Sequence, residues 1–137
     1  MPTEMFINPH FINTINMERV NDKNKKEVLL ENIDKFLKSA GIVYKTDDFT
    51  SAAILYFKAL FSILDFIILK DRGKIPKDHS ERFRILESEH PKLYLLLDML
   101  YPSYRTTYTS IINKETCDKI KENVERITKE QGIFENN

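Results

Sequence analysis

The chain has 137 residues, enough for one domain with a continuous hydrophobic core. Tryptophan is absent and glycine occurs only at Gly41, Gly73 and Gly132, among many Leu, Ile, Lys and Glu residues, which leaves few tight hairpin turns and points to an all-α class. Twenty-one basic residues balance twenty-one acidic ones, so no long-range field draws the whole molecule to nucleic acid or to an anionic membrane, and such a contact must come from a local patch.

The first 21 residues set Phe6, Ile7, Pro9, Phe11, Ile12, Ile15 and Met17 among asparagines with no clean period. They are expected to form an arm that docks on its own bundle or on a partner, because they are too apolar for an ordinary disordered tail. Residues 22–137 are expected to form the bundle. Its first helix starts near Asp22 and carries Val28, Leu29, Ile33, Phe36, Leu37 and Ala40 on one face, with Gly41 as a C-terminal stop.

Asp47 and Asp48 offer N-caps for a long second helix from about Phe49 to Lys70, ending near Gly73. Ser51 to Leu69 within it is apolar enough to suggest a membrane span. However, Ser51, Lys58, Ser62, Asp65 and Arg72 fall at helical spacing on one narrow stripe, and Lys58 and Asp65 are costly in lipid. A central bundle helix is the better reading, with no membrane involved. Asp78, with Glu81 three residues later, has capping-box spacing and starts a short third helix through Phe83, Ile85 and Leu86.

Pro91 then starts or bends a helix carrying Leu93, Leu96, Leu97 and Leu100. Pro102 predicts a kink or split before Tyr104, Tyr108, Ile111 and Ile112 continue on one face. Asn113 is a cap for a fifth helix, whose seam is Cys117, Ile120, Val124 and Ile127. Cys117 is the single cysteine, so no intrachain disulfide can form, and no leader pattern opens the chain; a cytoplasmic address is the expectation.

The stretch SAAILYFKALFSILDFIILKDRGKIPKDHSERFRILE places Ala52, Ala53, Tyr56, Phe57, Ala59 and Phe61 on one helix and His79 in the loop before the next. Further on, YPSYRTTYTSI carries Arg105 followed by Tyr108. In these residues and in the order of its helices, from about residue 22 to 127, the chain resembles the HEPN superfamily (higher eukaryote and prokaryote nucleotide-binding domains). That resemblance implies a bundle of about five helices.

It also implies pairing of two copies through the face that carries the arginine, here with Tyr104, Arg105 and Tyr108, and partners such as nucleotidyltransferases in toxin–antitoxin-like systems. The superfamily's ribonucleases follow the arginine, after about four to six residues, with a histidine that exchanges protons near neutral pH while the arginine holds phosphate. At the corresponding positions this chain has Ser110, Ile111 and Ile112, none of which is a base at neutral pH. Catalytic residues are therefore expected to be absent.

The remaining candidates are weaker. Lys70, Arg72, Lys74, Lys77, Arg82 and Arg84 outnumber Asp71, Asp78 and Glu81 beside His79, so Lys74, Lys77, Arg82, Arg84, His79 and Arg105 form the candidate anion or RNA contact. The plainer readings are a solvated basic loop, an exposed or capping His79, a salt bridge at Arg105 and core packing of Tyr104 and Tyr108. Glu87 and His90 form a lone Glu-x-x-His without the second copy that a carboxylate-bridged metal site needs, so no metal or cofactor is expected. The function expected is a non-catalytic interaction module acting as a homodimer or with a protein partner. The alternative is an RNA- or nucleotide-binding protein, in one form an atypical endoribonuclease.

Overall fold

The computed structural model describes the backbone of residues 9–135 and the side chains of residues 24–135. The side chains of the N-terminal arm, Phe6, Ile7, Phe11, Ile12, Ile15 and Met17 included, lie outside the described set. The described residues form five helices in the order α1 (Pro9–Tyr44), α2 (Phe49–Arg72), α3 (His79–Glu89), α4 (Pro91–Thr106) and α5 (Lys114–Glu130), with no strand among them.

α2 is the axis of the bundle because it is apolar on nearly every side. Ala52, Ala53, Phe57, Ala59, Leu60, Ile63 and Leu64 are all fully buried, each large side chain contributing about 1.5–3 kcal/mol of burial. By length and composition this helix is able to cross a membrane, but 67% of its most apolar stretch is covered by the rest of the bundle. Its ends are set as the sequence implies. Asp48 accepts a hydrogen bond from Ser51 N at 3.0 Å, and Gly73 takes the left-handed conformation (φ 74°) while its N–H donates to Leu69 O at 2.8 Å.

α1 and α5 both pack along α2, while α3 and α4 pack on one another across one flank of α2. Two sequence expectations for α1 need correction. The helix begins at Pro9, not near Asp22, and it runs through Gly41 to Tyr44. Proline is compatible with a first helical turn because its missing N–H has no intrahelical partner there. The stop comes from Asp47, which adopts φ 65° after Thr46 and Asp47 donate to Val43 O and Tyr44 O. Val28, expected on the inner face, is 51% exposed, and the buried seam is Ile33 and Ala40 flanked by Leu30, Phe36 and Leu37.

The Asp78 cap accepts from Glu81 N at 2.8 Å, and Glu81 Oε1 accepts from Lys77 N, one residue before the position a capping box uses. Pro91 opens α4, which continues through Pro102 without being split and ends at Thr106. The proline costs the bond to Asp98 O but does not end the helix. Termination comes four residues later, where Thr106 Oγ1 and Thr107 Oγ1 donate to Pro102 O and Tyr104 O and compete with the helical ladder. Thr50 Oγ1 then captures Ile112 N at 2.8 Å and fixes the loop to the start of α2. Tyr108 and Ile111 therefore leave the helical face on which they were expected. In α5 the Asn113 cap and the seam of Cys117, Ile120, Val124 and Ile127 are as the sequence predicts.

Gly41 and Gly73 test these helix ends in opposite directions. Gly41 is helical, with no atom within 4 Å of an added Cβ, so Gly41→Ala should stabilise the chain by about 0.5–1 kcal/mol in urea denaturation. Gly73→Ala should destabilise it by about 1 kcal/mol, because its positive φ opposes a side chain. Destabilisation by Gly41→Ala would mean that α1 ends at Gly41.

Candidate functional site

An acid in the middle of an apolar helix must find a partner, and Asp65 finds one on α3. Asp65 and Arg82 are each less than a tenth exposed; Arg82 Nε donates to Asp65 Oδ1 at 2.7 Å and Nη2 donates to Oδ2 at 3.0 Å. This two-bond geometry suits a guanidinium facing a carboxylate. The Arg82 guanidinium also lies 5.0 Å over the Phe61 ring. Its remaining edge, Nη1, donates to His79 Nδ1 at 2.6 Å.

Arginine has no acceptor, so Nδ1 must present its lone pair, which assigns His79 as the neutral tautomer with its proton on Nε2. Burial, followed by the Arg82 charge, pulls the His79 pKa below its ordinary value, against the opposing pull of Asp65 and Asp78. The imidazole packs 4.8 Å from the Phe61 ring, 5.5 Å from Tyr101 and 5.7 Å from Tyr104. Tyr104 closes this aromatic cluster against Phe61 at 4.9 Å and Phe57 at 5.3 Å. Its hydroxyl lies 2.9 Å from that of Tyr108, and that bond, together with burial, pushes its pKa up to about 12.

These contacts redistribute the residues singled out from the sequence. Arg82 is buried in an ion pair and is not available to an outside anion. His79 is half-buried among rings, neither exposed nor capping. Tyr104 packs inward, whereas Tyr108 is 73% exposed. Arg105 is exposed and forms no ion pair with any described residue, so the salt bridge considered for it is not present. Ser110 and Ile111 are exposed beyond the end of α4, and Ile112 is buried.

Of the basic segment, Lys74 and Arg84 meet Arg72, Glu81 and Ile85 around a surface pocket of about 220 Å³; Lys77 is exposed and does not line it. Arg72 is already paired with Glu89 at 2.9 Å, and Arg84 lies 3.6 Å from Glu81, so this pocket's positive charge is largely answered from within the chain. His90 bonds Asp71 at 2.8 Å and leaves the Glu-x-x-His pair without a shared role. Burial pushes the Cys117 thiol up to about 11, which makes it unreactive.

Opposite the aromatic cluster, α4 presents a stripe to solvent. Leu95 (64% exposed) and Met99 (48%) are followed by exposed Pro102, with Asp98 and Arg105 along one flank; Tyr108 and Ile111 (92%) are exposed beyond the helix end. Sequence periodicity assigned the inner leucines and left Leu95 and Met99 outside that set, without marking them as an exposed surface. No family model, curated protein or solved structure matches this chain.

Because the folded chain holds His79 neutral, the unfolded chain takes up the proton first as pH falls. The imidazole's contribution is complete above its unfolded value near 6.5 and is lost as pH falls through the lower folded value. Urea denaturation at about pH 7.5 and about pH 5 should therefore show the stability advantage of the wild type over His79→Gln shrinking on the acid side. An advantage that is constant with pH would place the His79 proton elsewhere.

Proposed function

We propose that the chain is a non-catalytic interaction module, a HEPN-like bundle that acts as a homodimer or with a protein partner such as a nucleotidyltransferase in a toxin–antitoxin-like system. The observation that carries this reading is the outer face of α4, where Leu95, Met99 and Pro102 lie in one solvent-facing row. Scattered exposed apolar residues are ordinary, but a row of them on a helix that already buries Leu97 and Leu100 on its other face marks a contact surface.

The chemistry near Arg105 supports a binding role over a catalytic one. Proton transfer at a ribose hydroxyl needs a base close to the phosphate-holding arginine, and the positions after Arg105 are Ser110, Ile111 and Ile112. His79 has its Nδ1 lone pair committed to Arg82, and His90 is held by Asp71.

The other reading, RNA or nucleotide binding, is favoured by the convergence of Arg72, Lys74 and Arg84 on one pocket. It is the weaker of the two, because Glu81 and Glu89 already neutralise both arginines. If this pocket binds RNA, Lys74→Glu with Arg84→Glu should abolish the salt-dependent part of the affinity.

For the leading reading, sedimentation equilibrium should show a wild-type dimer, with Leu95→Glu and Met99→Glu each weakening association at least about tenfold by placing a charge in a desolvated seam. Both sites are exposed, so circular dichroism should remain helical. A wild-type chain that is monomeric throughout the micromolar range would refute the homodimer.

A further inference from the structure

We infer that two copies pair through antiparallel α4 helices in a register fixed by Asp98 and Arg105, an inference that rests on the homodimer reading and specifies its interface. After Pro91 and Lys92 in its first turn, the exposed positions of α4 are Leu95, Asp98, Met99, Pro102, Arg105 and Thr106. At about 100° per residue, Leu95, Met99, Pro102 and Thr106 make the seam, and Asp98 with Arg105 lies about 60–80° to one side, both on the same flank.

A two-fold axis perpendicular to two antiparallel helices keeps each flank on its own side while reversing the direction along the helix. Residues on one flank therefore meet the same flank of the partner helix, and residue n faces the residue equally far beyond the midpoint. Centred between Tyr101 and Pro102, this rule sets Asp98 of each copy opposite Arg105 of the other. Two ion pairs form on one edge of the seam.

The same register makes the apolar positions complementary. Met99 falls beside the second copy's Pro102, and Leu95 reaches the end of the second copy's α4, where Thr106 is exposed and Tyr108 follows. Pro102 suits the centre of the contact because its compact ring allows close approach. Tyr104 remains on the inner face, among Phe57, Phe61 and His79.

Charge complementarity selects a second copy as the occupant. The side chains of Asp98 and Arg105 are both exposed and form no ion pair or hydrogen bond with any described residue, although Glu87 and, after it, Asp98 raise the pKa of neighbouring Tyr94. Their separation of seven residues is two helical turns, so both charges sit symmetrically about the seam's centre. The two Arg105 guanidinium groups are then about 10 Å apart along the helix direction, at 1.5 Å per residue, and need no bridging anion.

The test is a charge exchange read by sedimentation equilibrium at about 50 mM salt, where exposed pairs are least screened. Asp98→Arg places four cations on one edge and Arg105→Asp places four anions there, so each single variant should weaken the wild-type dimer at least about tenfold. The double variant, Asp98→Arg with Arg105→Asp, restores opposite charges and should return to within about threefold of wild type. Both positions are exposed, and an unchanged helical spectrum verifies folding. If the wild type dimerises and the single variants do so equally well, or the double variant fails to recover, the register is wrong while the homodimer reading survives. A monomeric wild type overturns both.

Discussion

The buried pair of Asp65 and Arg82 governs how one side of this bundle is built. α3 is short and mostly polar, with only Arg82, Ile85 and Leu86 buried, so it has little apolar area with which to hold itself against α2. The ion pair supplies the missing specification. Asp65 lies on the polar stripe of an otherwise apolar helix and accepts one lateral position and rotation of α3, because both carboxylate oxygens must meet Nε and Nη2. Two aliphatic residues in its place would bury comparable area but accept many rotations. Removing one partner leaves a charge without compensation in a desolvated place, and that loss is far larger than the net worth of the pair.

With α3 fixed, the positions of its neighbours follow. Arg82 holds His79 by Nδ1, His79 presses on Tyr101 and Tyr104, and Phe83 meets Tyr101 edge-on with ring centres 4.9 Å apart. Those rings belong to α4, so the ion pair on α2 and α3 also sets the rotation of α4. Its aromatic and leucine side turns inward, and the row of Leu95, Met99 and Pro102 turns outward. The candidate interaction surface is thus the reverse side of a polar and aromatic network buried beneath it.

Much of the fold is legible in the sequence because its signals are local. The caps at Asp48, Asp78 and Asn113, the left-handed Gly73 and the seam of α5 each depend on residues within about one helical turn. What escapes is nonlocal. Gly41 resembles a stop until Asp47 is seen to provide it, and Pro102 resembles a break until packing holds α4 together around it. The partnership of Asp65 with Arg82, seventeen residues apart across a loop, has only an indirect sequence signal, an acid alone on an apolar helix. Counting Arg82 and His79 among exposed basic residues was the direct consequence of missing that pair. Leu95 and Met99 fall outside the inner leucines by spacing alone, but spacing does not tell whether another part of the chain covers them.

The most direct measurement is a double-mutant cycle in urea on Asp65→Leu, Arg82→Met and the two together. If the pair fixes α3, each single variant should lose about 3–5 kcal/mol, and the double variant should lose much less than their sum, with a coupling of more than about 2 kcal/mol. Losses that simply add would show that Asp65 and Arg82 act independently and that α3 is held by its apolar contacts alone.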